Sequence, residues 1–262
     1  MYKLGIIGCG SMGGAIIRGA LKAGVLSRTD LIIYDHNKDK IQDLLDQGAS
    51  LAKSEIDLVG QVENLLIAVK PQSFKNLAKS LKGKIPGQTL LISIAAGISV
   101  EKIKNDFDHD KVLRAMPNTP ALVNEAMTSL SAEEKYLGEI DFAKDLFQAV
   151  GKITLIDEEK IDAFAGLAGC MPAFAFMFIE AAADAGVKNG IKRADAYDYV
   201  AQAILGSAKM LLETKDHPSK LKDQVCSPGG TTIEGVLALE EAGFRNALIK
   251  AVDAASNKKI KL

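Results

Sequence analysis

The segment Gly8-Cys9-Gly10-Ser11-Met12-Gly13 constrains this chain more than any other. It follows the apolar run Leu4–Ile7 and opens a helical pattern carried by Ile16, Ile17, Ala20 and Leu21. Glycines at these spacings allow a tight turn and close backbone approach, so a dinucleotide pyrophosphate can rest on the free N–H groups and positive dipole of the helix start. A lone glycine triplet is a weak signal. Here it lies inside a strand–turn–helix–strand unit, and Asp35 ends the second apolar run, Leu31–Tyr34, 22 residues after Gly13. A carboxylate there accepts from a ribose 2′-OH and repels a 2′-phosphate, which favours NADH. Lys38 and Lys40 follow closely and offer countercharge to the phosphate of NADPH, while Asp35 also suits a plain turn over Asp35-His36-Asn37. NADH and NADPH both stay open.

Up to about residue 156, short β-rich runs alternate with helical patterns: Leu4–Ile7, Leu31–Tyr34, Leu65–Val69, Leu90–Ile94, Val112–Ala115 and Ile153–Ile156. Buried strands separated by amphipathic helices predict an α/β fold with a Rossmann-type, doubly wound parallel sheet. Beyond Ile156 the pattern turns helical. Asp157 is placed to cap a helix starting at Glu158, and helical patterns cover Ala173–Ala185, Asp195–Glu213, Thr232–Glu241 and Phe244–Ser256. The expected division is a dinucleotide-binding domain over 1–157 and an all-helical domain over 158–262, with no Gly/Ser linker between them. The stretch Pro172–Ile179 is apolar on nearly every face, and a helix of that kind must be covered all round. A bundle of about 100 residues rarely manages this alone, which points to an oligomer interface, with a central core helix of a monomer as the alternative.

In an open α/β sheet, ligands lie beyond the carboxyl ends of the strands. Ala68-Val69-Lys70-Pro71 and Ser93-Ile94-Ala95-Ala96-Gly97 occupy that rim, where small Ala95 and Ala96 leave room for a nicotinamide. Lys70-Pro71 reads equally well as an exposed strand-to-helix loop. Arg114-Ala115-Met116-Pro117-Asn118-Thr119-Pro120 is a proline-stiffened loop at the same rim, and Asn118 and Pro120 also fit plain turn chemistry. In the helical half, Ser227-Pro228-Gly229-Gly230-Thr231-Thr232 precedes a helix and exposes several N–H donors, suited to a substrate carboxylate or, more blandly, to an ordinary cap.

Composition narrows the classes of function. With 32 basic and 33 acidic residues the net charge is −1, which leaves no electrostatic footprint of a nucleic-acid or membrane-surface binder. No stretch reaches the ~18 uninterrupted apolar residues of a membrane span. Cys9, Cys170 and Cys226 lack a CxxC pair, which suits free thiols in a reducing, cytoplasmic setting. His36, His109 and His217 show no metal-ligand spacing, and His109, within Asp106–Asp110, reads as part of a solvated turn. A small-molecule substrate and no metal are expected.

Taken together the motifs resemble the pyrroline-5-carboxylate reductase family over essentially the whole chain. The resemblance rests on Gly8 to Gly13, Ala68 to Pro71, Ser93 to Gly97, Met116 to Pro120, Ile179-Glu180-Ala181 through Ala185-Gly186-Val187, His217-Pro218, Leu221-Lys222-Asp223 and above all Ser227 to Thr232. It implies reduction of 1-pyrroline-5-carboxylate to L-proline with NADPH or NADH, the last step of proline biosynthesis. It also implies homodimers joined through the helical domain, with a decamer of five dimers as a larger form. The implied cofactor set is Gly8, Gly10, Ser11, Met12, Gly13, Asp35, Ala68, Val69, Lys70, Pro71, Ala95 and Ala96. The implied substrate set is Asn118, Ser227, Gly229, Gly230, Thr231 and Thr232, with Thr232 hydrogen-bonding the ring nitrogen as the residue nearest to a catalytic one.

One segment departs from the family pattern. Where members carry Ser-Gly-Ser-Gly or a close variant before Pro-Ala-Tyr, this chain has Ala168-Gly169-Cys170-Met171-Pro172-Ala173-Phe174. Two hydroxyls and a phenol are absent, and Met171 in place of a small residue predicts a narrower pocket or a shifted helix start. Two other readings stay open. A β-hydroxyacid dehydrogenase or a different imine reductase would share the architecture, although the Lys and Asn four residues apart expected of the former do not occur, since Lys188 and Asn189 are adjacent. A dinucleotide-binding regulator without turnover is the third.

Overall fold

A computed structural model describes residues 1–258 as two compact units, Met1–Gly169 with the chain from Ser256 on, and Cys170–Ala255. The first unit is built on one eight-stranded sheet in the order β3-β2-β1-β4-β5-β6-β7-β8. Its strands are β1 (Tyr2–Ile7), β2 (Leu31–Tyr34), β3 (Ser50–Leu51), β4 (Val62–Ile67), β5 (Leu90–Ser93), β6 (Val112–Met116), β7 (Ala126–Ala132) and β8 (Gly151–Leu155). Its helices are α1 (Ser11–Lys22), α2 (Gln42–Asp46), α3 (Glu55–Val59), α4 (Pro71–Leu81), α5 (Val100–Phe107), α6 (Asp141–Gln148) and α7 (Ile161–Phe164).

Strand residues alternate between two cores, as a sheet covered on both faces requires. Leu4, Ile6, Leu31, Ile33, Leu66, Ile92 and Leu113 pack on one face with Ile16 and Ile17 of α1 and Leu146 and Phe147 of α6. Ile7, Ile32, Leu65, Ile67, Leu91 and Val112 pack on the other with Phe74 and Leu77 of α4 and Ile103 and Phe107 of α5. The crossovers from β1 through β6 are all parallel. The expected doubly wound sheet is present, but it does not stay parallel to its edge. β7 pairs antiparallel with β6, and β8 then runs parallel to β7.

β7 was not expected from the sequence, nor was the two-residue β3. The strand reads Ala-Met-Thr-Ser-Leu-Ser-Ala, with Thr128, Ser129 and Ser131 buried where aliphatic residues usually mark a strand. Neighbours on both sides satisfy its backbone, so the small hydroxyl side chains are tolerated. The hydroxyls of Thr128 and Ser129 are buried without a hydrogen-bond partner among the described residues.

Two local expectations are corrected. His109 does not sit in a solvated turn: it is buried, with Nε2 2.8 Å from the Thr89 carbonyl, because the left-handed residue Asp108 ending α5 turns the chain inward. Asp157 does not cap with its side chain. The helix begins at Glu158 as a 3₁₀ turn, and the Asp157 carboxylate instead meets Lys160 Nζ at 2.6 Å.

The second unit contains α8 (Met171–Lys188), α9 (Arg193–Thr214), α10 (Pro218–Val225), α11 (Thr231–Glu241) and α12 (Phe244–Ser256), and no strand among the described residues. The sequence pattern marks four of these; α10, short and mostly polar, escapes it. Only Ala183 and Ala196 are buried between Cys170 and Ala255, whereas Phe176 and Met177 are 67% and 69% exposed. An apolar groove of about 580 Å³ is lined in part by Phe174, Met177, Phe178, Leu239, Phe244 and Leu248. A helical unit with so little interior of its own needs an apolar partner. The helical stretch Glu158–Lys188 is also long and apolar enough by length and composition to cross a membrane, a point that a search for uninterrupted apolar runs overlooks.

Candidate dinucleotide cleft and substrate turn

The carboxyl ends of β1, β2 and β4 open onto a cleft of about 560 Å³. Strand order reverses between β1 and β4, the place where ligands of open α/β sheets bind. Three glycines shape it for three different reasons. Gly8 has φ +93°, and a Cβ there would stand 2.9 Å from the Ala68 carbonyl group. Gly13 lets α1 approach the turn, since its Cβ would lie 2.4 Å from the Gly8 oxygen and 3.0 Å from the Ala68 Cβ. Gly10, the N-cap of α1, faces open space, with no atom within 4 Å of a Cβ. An anion can therefore reach the backbone N–H groups of the first turn, as a pyrophosphate requires. The donor set and the open cradle fit a dinucleotide.

Gly8, Gly10, Asp35, Ala68, Val69 and Lys70 line this cleft together. Ser11, Met12 and Gly13 form the first turn of α1, and Pro71 is the first residue of α4, where a missing N–H costs nothing. Ala95 is buried at the end of β5 with Ala96 half-buried beside it, and neither is among the lining residues. The walls hold further residues that the sequence reading passed over: His36, Asn37, Glu55 and a stripe on α4 of Ser73, Asn76, Leu77 and Ser80. The stripe has helical spacing running on from Lys70, a signal that was present but indistinguishable from a solvated helix face.

Asp35 does more than face the cleft. Its Oδ2 accepts from the Cys9 N–H at 2.6 Å and its Oδ1 from the Asn37 N–H at 2.8 Å, so the end of β2 pins the glycine turn. An ionised carboxylate has about four acceptor positions, which leaves room for ribose hydroxyls as well. Lys40 lines the same wall and Lys38 does not. Cys9 is buried under this arrangement, and burial first, then the Asp35 charge, pushes its thiol up to about 12. It stays a neutral thiol and serves packing.

In the helical unit, the Gly230 N–H donates to the Ser227 carbonyl at 3.0 Å. Pro228 and Gly229, with φ +65° at the glycine, are the residues a type II turn demands. A Cβ on Gly230 would stand 2.3 Å from Ser227 Oγ and 3.1 Å from the Ser227 carbonyl oxygen, so glycine there lets the turn close without displacing the Ser227 hydroxyl. Gly230 is the N-cap of α11 and no side chain caps it, so Thr231 and Thr232, first and second in the helix, present first-turn N–H groups without intrahelical partners. Thr231 is exposed and Thr232 half-buried. The structure thus brings Ser227, Gly229, Gly230, Thr231 and Thr232 into one turn.

Asn118 is differently employed. Buried after β6, it donates through Nδ2 to the Ala168 carbonyl at 2.9 Å and accepts through Oδ1 from the Met127 N–H at 3.0 Å.

Residues 158–262 match the family model described as pyrroline-5-carboxylate reductase dimerisation, and residues 3–97 match that described as NADP oxidoreductase coenzyme F420-dependent. The pyrroline-5-carboxylate reductase of Escherichia coli strain K12 is 43% identical over 99% of this chain and 98% of its own length. The chain belongs to the pyrroline-5-carboxylate reductase family. The relationship is not confined to bacteria, since the Methanosarcina acetivorans pyrroline-5-carboxylate reductase is 39% identical over 98% of this chain and 96% of its own. Among solved structures, Plasmodium falciparum pyrroline carboxylate reductase with NADP bound matches at TM-score 0.88 and 31% identity, covering 98% of this chain and 97% of that one. The fold, with its dinucleotide-binding unit and helical dimerisation region, is the family's, and the chain is an NAD(P)H-type oxidoreductase. Its departure at Ala168–Met171 lies where a π turn, Ala165–Gly169, leads into α8.

Proposed function

We propose that this chain reduces 1-pyrroline-5-carboxylate to L-proline, the last step of proline biosynthesis, with a nicotinamide dinucleotide as hydride donor. The observation that carries the reading is the presence in one chain, which matches its relatives over nearly their whole length, of an open glycine cradle at Gly10 and of a second donor-rich turn at Ser227–Thr232. Gly8, Gly10, Ser11, Met12 and Gly13 present the turn that receives the pyrophosphate, Asp35 receives the adenosine ribose, and Ala68 to Pro71 with Ala95 and Ala96 border the nicotinamide half. The bound dinucleotide supplies the hydride. N–H groups around Gly230 and Thr231 hold the substrate carboxylate, with Ser227 and Gly229 shaping the turn, while the Thr232 hydroxyl orients the ring nitrogen. A protonated cyclic imine is already electrophilic, so positioning supplies much of the catalysis and no nucleophile is required.

Division by function falls at 157/158, supported by the dimerisation match that begins at residue 158. The apolar face of the helical unit is covered by a second copy of the chain, which also accounts for the apolar stretch Glu158–Lys188 without a membrane. Assembly of five such dimers into a decamer rests on the family resemblance alone. The three unpaired cysteines suit a cytoplasmic enzyme.

The direct test is oxidation of NADH and of NADPH, in parallel, by purified protein supplied with 1-pyrroline-5-carboxylate, with proline identified as product. Turnover establishes the reaction, and the ratio of the two rates reads the role of Asp35. Dinucleotide binding without turnover favours the regulator. For the interface, Met177→Asp is expected to weaken self-association at least ~100-fold, the scale of a central interface residue. Analytical ultracentrifugation checks this, and an unchanged sedimentation coefficient at micromolar protein removes Met177 from the interface.

A further inference from the structure

Three residues on one side of the β6 chain hold the helical segment that follows β8. Arg114, Met116 and Asn118 alternate along extended backbone and so share a face. Arg114, buried, reaches Glu158 Oε1 at 3.1 Å and Asp162 Oδ1 at 3.8 Å. Glu158 Oε1 also accepts from the Val100 N–H at 2.6 Å. A Cβ on Gly169 would lie 3.9 Å from Met116 Cε, and Asn118 Nδ2 donates to Ala168 O. The last two contacts fall on the π turn Ala165–Gly169, which is also fixed at Gly166, where a Cβ would collide with Ser256 Oγ at 2.0 Å.

A π turn widens the helix by one residue and departs from the usual i→i+4 bonding, so a donor from outside the helix that meets one of its carbonyls stabilises it. Asn118 supplies that donor. Its position is the N-cap of the 3₁₀ helix Thr119–Val123, where an asparagine ordinarily accepts from its own helix, yet its side chain makes no such bond. Both polar ends of the amide go instead to distant backbone groups, one in β7 and one in the π turn. Turn chemistry therefore does not explain the residue.

We propose that Asn118 is a positioning residue that holds the π turn open and so sets the phase in which the chain leaves it at Gly169. Collapse of the π turn to α-helix would advance the following residues by one helical step, about 100° of rotation at 3.6 residues per turn. Cys170, Met171 and Pro172 would change face. Cys170 and Met171 are positions at which this chain departs from the family pattern and Pro172 is one that it shares, so Asn118 serves the substrate side of the reaction through the turn and does not bind substrate itself. This rests on the reductase reading for its kinetic consequence, though not for its structural one.

Asn118→Asp keeps the acceptor for the Met127 N–H and removes the donor to Ala168, and Asn118→Leu removes both. Wild type and both variants are compared in hydrogen exchange of peptides spanning residues 163–172, in dinucleotide affinity by fluorescence, and in kcat and KM. Asn118→Asp is expected to lose protection in that peptide, to lower kcat/KM about tenfold with kcat falling as well as KM changing, and to bind dinucleotide within twofold of wild type. Asn118→His, which retains an N–H donor, is expected to recover part of both losses. Unchanged exchange in Asn118→Asp overturns the proposal, as does a loss confined to KM, which would mark direct substrate contact. A wild-type protein without turnover overturns the reductase reading instead and leaves exchange to decide the role of Asn118.

Discussion

Thr232→Ala is expected to lower kcat/KM for 1-pyrroline-5-carboxylate about 100-fold, the penalty of losing alignment at the reacting centre, while NADH and NADPH bind within twofold of wild type. The substitution deletes a hydroxyl and a methyl from the second residue of α11 and leaves every backbone N–H of the Ser227–Thr232 turn in place. Alanine is a better helix former than threonine by roughly 0.5 kcal/mol, so a lost helix cannot be the cause of lost activity. The carboxylate anchor survives and the ring nitrogen loses its partner. Thr232→Ser restores the hydroxyl and should recover most of the rate. Steady-state kinetics with a parallel fluorescence titration of dinucleotide separates the two steps, and wild-type kinetics in Thr232→Ala would remove the residue from the site.

Two glycines of the first turn should both lose dinucleotide affinity on gaining a methyl group but differ in stability. Gly13→Ala places a Cβ 2.4 Å from the Gly8 oxygen and 3.2 Å from Ile6 Cδ1, so α1 must slide away from β1 or the turn must open. Overpacking of this kind costs about 1–3 kcal/mol, and the displaced donors should raise the dinucleotide dissociation constant tenfold or more, with a lower Tm. Gly10→Ala meets no protein atom within 4 Å, so its Tm should match wild type. Its methyl group stands in the cradle, and affinity should still fall at least about tenfold if the pyrophosphate approaches there. Calorimetric titration and thermal unfolding read both variants. Wild-type affinity in Gly10→Ala would refute pyrophosphate binding at this turn, whatever Gly13→Ala does.

The parts of this molecule that could be read from its sequence are those whose determinants lie close together along the chain. The glycine turn, β1, α1, β2 and Asp35 form one contiguous unit, and apolar runs buried on both faces announce the central strands without any knowledge of their neighbours. Helices α9, α11 and α12 carry enough alanine and leucine at helical spacing to be found the same way. The function came from the resemblance carried by Ser227–Thr232, since spacing alone left that turn open to an ordinary cap.

Tertiary structure decided everything that depends on partners far away in sequence. β7 is a strand because β6 and β8 flank it, and its Thr and Ser side chains give no pattern of their own. His109 is buried because the Thr89 carbonyl waits for it, and Asp35 pins a turn 26 residues before it. Asn118 looks like a turn residue until the Ala168 carbonyl, 50 residues on, is placed against its amide. The sequence by itself determined the fold class, the glycine-shaped turns and the apolar character of a helical region that calls for cover, because periodicity, glycine conformation and hydrophobic burial are local or additive properties. Which hydrogen bond a given polar side chain makes is neither. It depends on which backbone groups folding leaves without a partner, and only the folded chain identifies them.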